Sequence, residues 1–367
     1  MYGHGDNGEV DGIIMDKYKN ILVNALVNLG DVVLTTGAIA LLKKAYPKAR
    51  ITILVKPVVR EAVENNPVID DVIVFAYKPK ENSWGQMMDM VKEIKRRQFD
   101  LCLSLDRKLR PALLAFLARI PERVGPDRVF GPKKSRVTWL YTKTIRMDYD
   151  LERTLQADTY QNIVRGLTGQ SAEEKEEPVF ARITAEAKMK AECLLAQLPQ
   201  AEKIIALCVK GTFPLKTWPK EYFAKVVESL AAEYKASFFV TGGPGDREYA
   251  DEVIACCQVP VANFCGETNL VELAALFKKC DLLVSVDTGG GHIAATSKVP
   301  MVVMYGCTSP DRWYPINENA RVLTSREDCC PCTVRAEQCP SWPSPKCLWN
   351  VSPEDVLKEC RELLGLL

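Results

Sequence analysis

Short apolar runs separated by helical periods dominate the chain from residue 20 onward. Runs 21–27, 51–55, 72–75 and 101–105 are rich in Ile, Val and Leu, and polar or turn-forming residues separate them. Near-continuous apolar runs of this length suit strands covered on both faces, as in parallel sheets with crossover helices. Between two of them, Trp84, Met87, Met88, Val91 and Ile94 recur at helical spacing, which predicts a helix facing the sheet. Residues 121–150 are basic and irregular, and residues 155–167 read as a helix. The charged run 173–178, Glu-Glu-Lys-Glu-Glu-Pro, predicts an interdomain linker.

The alternation then restarts. Strands are predicted at 204–209, 237–241, 261–264, 282–286 and 301–305, with helices at 220–234, 247–257, 270–279 and 292–297. This is a second doubly wound sheet. The tail 352–367 opens on Ser-Pro-Glu-Asp, a good helix start, and places Val356, Cys360, Leu363, Leu364 and Leu367 on one face that must pack on something.

A length of 367 residues exceeds what one core organises, which agrees with two domains. The expected division is an N-terminal extension at 1–19, a first domain at 20–178, a second at 179–350 and a closing helix at 351–367. Lys and Arg number 48 against 47 Asp and Glu, a net charge of +1 that argues against a nucleic-acid-wrapping protein. No apolar stretch is long enough to span a bilayer, and residues 1–19 lack the apolar core of a signal peptide, so a cytoplasmic protein with a disordered start is expected.

In open α/β sheets ligands bind beyond the carboxyl ends of the strands, so the turns there are the places to search for chemistry. The fourth and most telling, within 281–295, runs from a strand through Asp287, Thr288 and three glycines to His292 and a helix. Glycines admit close backbone approach, and a helix start offers unpaired amides and partial positive charge to a diphosphate; the same shape also serves as plain punctuation. The first turn, 28–36, sets Asp31 at a helix start, as a capping residue or as an acid at a ligand site. The second, 210–219, carries Lys210, Thr212 and Lys216 ahead of Trp218-Pro219, and cations there suit phosphates. The third, 242–248, presents Asp246 and Glu248 to a ribose or simply turns the chain. Arg60, Arg107 and Arg110 follow strands or open helices in the first half, where guanidinium groups suit acidic sugars or phosphates. His4 and His292 are the two histidines, so a histidine base is confined to His292.

Gly30-Asp31-Val32, Lys216 with Trp218-Pro219, Gly242-Gly243-Pro244-Gly245, Asp287-Thr288-Gly289 with His292, and Tyr305 to Pro310 followed by Trp313 together resemble glycosyltransferase family 9. The resemblance implies the GT-B fold: two Rossmann-like doubly wound domains facing a cleft, with a final helix crossing back to the first domain. It implies inverting transfer of heptose from ADP-heptose to the inner core of lipopolysaccharide, with no cofactor and no catalytic metal. The acceptor is a lipid A core oligosaccharide, met in peripheral contact with the cytoplasmic face of the inner membrane. Asp31 takes the role of base on this resemblance, and Lys216, Thr212 and the amides around Thr288, Gly289 and Gly290 stabilise the leaving diphosphate. Asp287 is assigned to a sugar hydroxyl, and His292 to a phosphate or to a structural bond. The chain departs from commoner members at Gly290-Gly291 and at Phe213-Pro214-Leu215. A transferase of another nucleotide-sugar and a GT-B nucleotide-sugar epimerase stay open as alternatives.

Fourteen cysteines are present. Cys102, Cys208, Cys265 and Cys280 lie in or beside apolar runs, where reduced thiols pack as small hydrophobes. Cys329, Cys332, Cys339 and Cys347 in the loop 329–347 have the spacing of a four-thiolate structural zinc site; a loop disulfide and a packed cysteine-rich loop are the other readings.

Overall fold

The computed structural model describes residues 17–77, 83–106, 108–129, 134–151, 153–325, 327–332 and 335–365. The expected extension at 1–19 falls largely outside them, as does Arg107. The chain divides into two compact units, 1–182 and 183–367.

The first unit is built from β1 (Asn20–Asn24), α1 (Leu29–Ala45), β2 (Arg50–Val55), β3 (Asp71–Val74), α2 (Ser83–Arg96), β4 (Leu101–Ser104), α3 (Leu109–Leu117), β5 (Glu122–Pro126), β6 (Lys143–Ile145) and α4 (Gln156–Thr168). Its six strands are parallel, in the order β3-β2-β1-β4-β5-β6. The central strands are fully buried at Ile21, Leu22, Val23, Leu101, Cys102 and Leu103, because helices cover both faces and no position can stay polar. The expected irregular segment at 121–150 holds β5 and β6. They escaped the apolar pattern because Glu-Arg-Val-Gly-Pro and Lys-Thr-Ile are short and half polar, as the sheet margin allows.

The second unit repeats the plan with α5 (Ala185–Leu195), β7 (Lys203–Cys208), α6 (Lys220–Glu233), β8 (Ala236–Val240), α7 (Arg247–Ala255), β9 (Val261–Asn263) and α8 (Leu270–Phe277). It continues through β10 (Leu282–Val286), α9 (Gly289–Thr296), β11 (Met301–Met304), α10 (Pro310–Trp313), β12 (Ala320–Leu323), α11 (Lys346–Trp349) and α12 (Pro353–Leu364). Its parallel order is β12-β11-β10-β7-β8-β9. In both sheets the first strand of the unit lies beside the fourth, which makes a topological switch point there, between β1 and β4 and between β7 and β10.

The run 173–178 is hydrogen-bonded to the first unit: Gln161 Nε2 donates to the Glu176 carbonyl at 2.9 Å, and just beyond the run the Val179 amide donates to Thr36 Oγ1 at 2.8 Å. Gly37 faces that carbonyl so closely that a Cβ would come within 2.8 Å of it. The segment is thereby stitched to α1 and α4. The closing helix α12 packs against α6 and β10 to β12 of its own unit. Its buried Val356, Leu357 and Cys360 join the core around Trp218 and Phe223, and Arg361 pairs with Glu233 of α6 at 2.8 Å.

Candidate active site

In the second unit the functional groups stand at the β7/β10 switch point. Past the end of β10, the Asp287 amide still donates to the Met304 carbonyl at 3.1 Å, so the backbone stays extended to the edge of the sheet. The chain then enters α9 at Gly289, three residues earlier than the expected His292. Thr288 is extended and its side chain makes no capping bond; the Gly291 amide turns back to the Thr288 carbonyl at 3.1 Å, and the Gly289 and Gly290 amides have no side-chain partner among the described residues. A Cβ on Gly290 would meet Cys208 Sγ at 3.7 Å and Thr288 Cγ2 at 4.0 Å, and one on Gly291 would meet nothing nearer than 3.9 Å. These are ordinary contacts, so the protein's own packing does not require glycine there. A bare helix start is what a large anion needs.

Asp287 is buried, and its Oδ2 accepts from Lys216 Nζ at 2.6 Å and from Thr308 Oγ1 at 2.5 Å. Lys216 closes a short 3-10 turn, Pro214–Lys216, that follows β7. Lys210 and Thr217 bridge the two ends of that loop, and Trp218 anchors it with an Nε1 bond to the Val351 carbonyl at 3.0 Å and edge-on contacts to Tyr222 and Phe223. Gly211 is fixed by this geometry, since a Cβ there would lie 2.4 Å from Lys216 Cβ. Lys216 is therefore a held cation rather than a solvated one. Thr212 is exposed on the same loop. His292 is 5% exposed, with no partner for Nδ1, and burial pushes its pKa down while Asp287 pulls it up. The net shift favours the neutral imidazole. In the third turn Asp246 accepts from the Gly243 amide at 2.9 Å, and Lys210 ties the Gly245 carbonyl at 2.9 Å; Glu248 is exposed.

In the first unit Asp31 sits in the first turn of α1, beyond the carboxyl end of β1. It is not the helix cap, a position held by Asn28. The Tyr160 hydroxyl, carried by α4, donates to Asp31 Oδ1 at 2.7 Å. Lys56, after β2, donates to Asn28 Oδ1 at 3.1 Å; burial and Lys108 lower its pKa, while Asp31 and Asp106 oppose them. Lys56, Lys108 and Arg110 line a cavity of about 730 Å³ whose other walls include Leu26, Val58, Phe75, Tyr77 and Leu109. Arg110 is held 3.4 Å over the Tyr77 ring. Asp106 is 1% exposed beneath this rim, with Lys108 Nζ 3.2 Å from it.

Of the three arginines expected at an acceptor, Arg110 alone lines this cavity among the described residues. Arg60 is exposed and pairs with Glu64 at 2.7 Å, one helical turn along. Sequence reasoning missed Lys56, Lys108, Asp106 and Tyr160. The first three follow β2 and β4 directly, so the strand-end rule that found Asp31 points to them too; Tyr160 looked like one more apolar position of a helix.

In the second unit the cysteine-rich loop is tied to the turn after β11, where the Cys332 amide donates to the Cys307 carbonyl at 2.8 Å. The Cys329 and Cys330 sulfurs lie 3.9 Å apart, and burial raises the pKa of Cys330 and Cys347. All fourteen cysteines are free, and no group of His, Cys, Asp or Glu among the described residues is placed to hold a metal. Cys329, Cys332 and Cys339 each lie close enough to Cys347 to help raise its pKa, and all four are free thiols.

The model of glycosyltransferase family 9 (heptosyltransferase) matches residues 87–342. The chain belongs to that family. Among curated relatives it is 23% identical to the lipopolysaccharide core heptosyltransferase OpsX of Haemophilus influenzae, over 84% of this chain and 85% of the relative. A family 9 glycosyl transferase of Veillonella parvula superposes with a TM-score of 0.81 at 27% identity, covering 96% of this chain and 98% of the other. ADP-heptose lipopolysaccharide heptosyltransferase II of Escherichia coli superposes at 0.76 and 22% identity, covering 94% and 98%. The family 9 chain is thus a glycosyltransferase with the two Rossmann-like units of the GT-B fold.

Proposed function

We propose that this glycosyltransferase moves heptose from ADP-heptose to a hydroxyl of the lipopolysaccharide inner core, at the cytoplasmic face of the inner membrane. The observation that carries the reading is the triad of Lys216, Asp287 and Thr308 set against the open start of α9. It offers a fixed ammonium and helix amides to a diphosphate, and a carboxylate beside them to a sugar hydroxyl. The names of the relatives support the donor and the acceptor class.

In this reading the acceptor oxygen attacks the anomeric carbon from the face opposite the departing ADP, so configuration inverts. The bond from that carbon to the phosphate oxygen breaks, its electron pair passes to ADP, and the acceptor proton goes to Asp31. Tyr160 orients the Asp31 carboxylate through the 2.7 Å bond. Lys216 and the α9 amides meet the charge that grows on the diphosphate; one preorganised donor of this kind is worth roughly 3 to 4 kcal/mol of barrier. Thr212 lies on the same loop for the phosphates, His292 supplies a neutral donor or acceptor beside them, and Asp246 or Glu248 is left for the ribose. The reaction draws on no cofactor and no catalytic metal. In the first unit, Lys56, Lys108 and Arg110 receive the acidic groups of the core.

The test is product analysis with ADP-heptose and a core acceptor lacking the transferred heptose. A mass gain of one heptose with equimolar ADP is expected, and nuclear magnetic resonance of the product reports inversion. Turnover of donor without acceptor, or no product with this pair while another nucleotide-sugar reacts, contradicts the assignment.

A further inference from the structure

Eight large apolar side chains are strongly exposed among the described residues, and five of them lie on one strip of the first unit: Val58, Trp84, Leu109, Phe116 and Trp139. Their contiguity is geometric. Val58 and Leu109 share the wall of the 730 Å³ cavity, and Trp84 and Leu109 share a second hollow with Leu113. Leu109, Leu113 and Phe116 follow one another along a single face of α3, and the Phe116 ring meets Trp139 edge-on at 6.0 Å. The two tryptophans are 63% and 67% exposed, far above what packing against their own unit leaves.

The strip has a cationic surround. Residues 107–136 contain nine basic and two acidic residues, and α3 itself has no acid. Lys108, Arg119, Lys134 and Arg136 are exposed, and the Arg123 guanidinium lies 5.5 Å from the Phe116 ring. Aromatic rings with one wet edge, ringed by cations, match the headgroup layer of an anionic bilayer: rings enter the boundary with the acyl chains and cations stay among phosphates. A second copy of this face fits poorly, because a two-fold contact sets like charges opposite one another.

We propose that the α3 strip seats the first unit on the surface of a bilayer containing anionic lipid. Val58 and Leu109 belong both to the strip and to the cavity holding Lys56, Lys108 and Arg110, so a membrane-anchored acceptor is met at the level of the headgroups. That last consequence rests on the proposed function; the seating itself does not.

Flotation of the full chain with liposomes tests it, using phosphatidylethanolamine vesicles with 30% phosphatidylglycerol against pure phosphatidylcholine, without donor or acceptor. Binding to the anionic vesicles at least tenfold tighter, weakening as salt rises from 0.1 to 0.5 M, is expected. Phe116→Ser/Trp139→Ser and, separately, Arg119→Glu/Arg136→Glu should each lose tenfold or more at unchanged melting temperature. Equal binding to both vesicle types, no binding, or both variants binding like the parent overturns the proposal. So does a parent dimer that the serine variant dissociates, which assigns the strip to a second copy. No transfer chemistry enters the assay, so failure of the heptosyltransferase reading leaves this result standing.

Discussion

Lys216 and Asp287 form a buried charged pair at the proposed donor site, with side chains 12% and 8% exposed. Breaking such a pair leaves a buried charge without its partner, a loss of about 3 kcal/mol or more. Lys216→Met is therefore expected to lower the melting temperature and the ADP affinity together. Lys216→Met/Asp287→Asn removes both charges, and it should regain most of the stability while ADP affinity stays at least tenfold down. Titration calorimetry beside a melting curve separates the two effects; ADP affinity restored along with stability places Lys216 outside the site. At this scale the sequence marked Asp31, Lys216, Asp287 and His292, because each lies a few residues past a readable apolar strand. It did not mark Tyr160, whose role depends on α4 lying against α1, a pairing no local pattern encodes. Arg60 pairs with Glu64 one turn away, a contact that its place after β2 does not announce.

The elements at the donor site give two glycines opposite duties. In the loop after β7, a side chain at Gly211 would collide with Lys216 at 2.4 Å, so Gly211→Ala should displace the lysine and weaken ADP binding with some loss of stability. In α9, Gly290 has room for a methyl group, and alanine is the better helix former by about 1 kcal/mol. Gly290→Ala should thus leave the free protein as stable as before or slightly more so, yet cost tenfold or more in ADP affinity, because the space it fills is where a phosphate approaches the helix start. Melting curves with and without ADP check both. An unchanged ADP response in Gly290→Ala contradicts the anion role of α9. Strands were legible wherever both faces are buried. β5, β6 and β12 were not, being short runs toward the sheet margins, and α9 was placed three residues late because glycine weighs against a helix.

On the scale of the molecule, two units share one strand order, and each places its chemically capable residues at its own switch point. That division suggests a division of labour, with base and acceptor groups in the first unit and donor groups in the second. The doubling was legible from the restart of the apolar rhythm near residue 204. The partners of the final helix are not written in its pattern, since an amphipathic face states that it packs and not on what; Cys360 and Val356 join the core around Trp218. A ligand that binds the folded state raises its melting point by mass action, so ADP should raise it more than UDP or GDP at equal concentration. A response to UDP alone moves the assignment to another nucleotide-sugar.

Asp31→Asn tests the central claim most directly, through single-turnover transfer and ADP-heptose affinity on the same preparation. Asparagine keeps the size and the hydrogen bond from Tyr160 but cannot take a proton at neutral pH. Transfer is expected to slow by about 100-fold or more, the lower range of a general base, with donor affinity within twofold of the parent. Transfer at the parental rate would contradict the assignment of Asp31 as base.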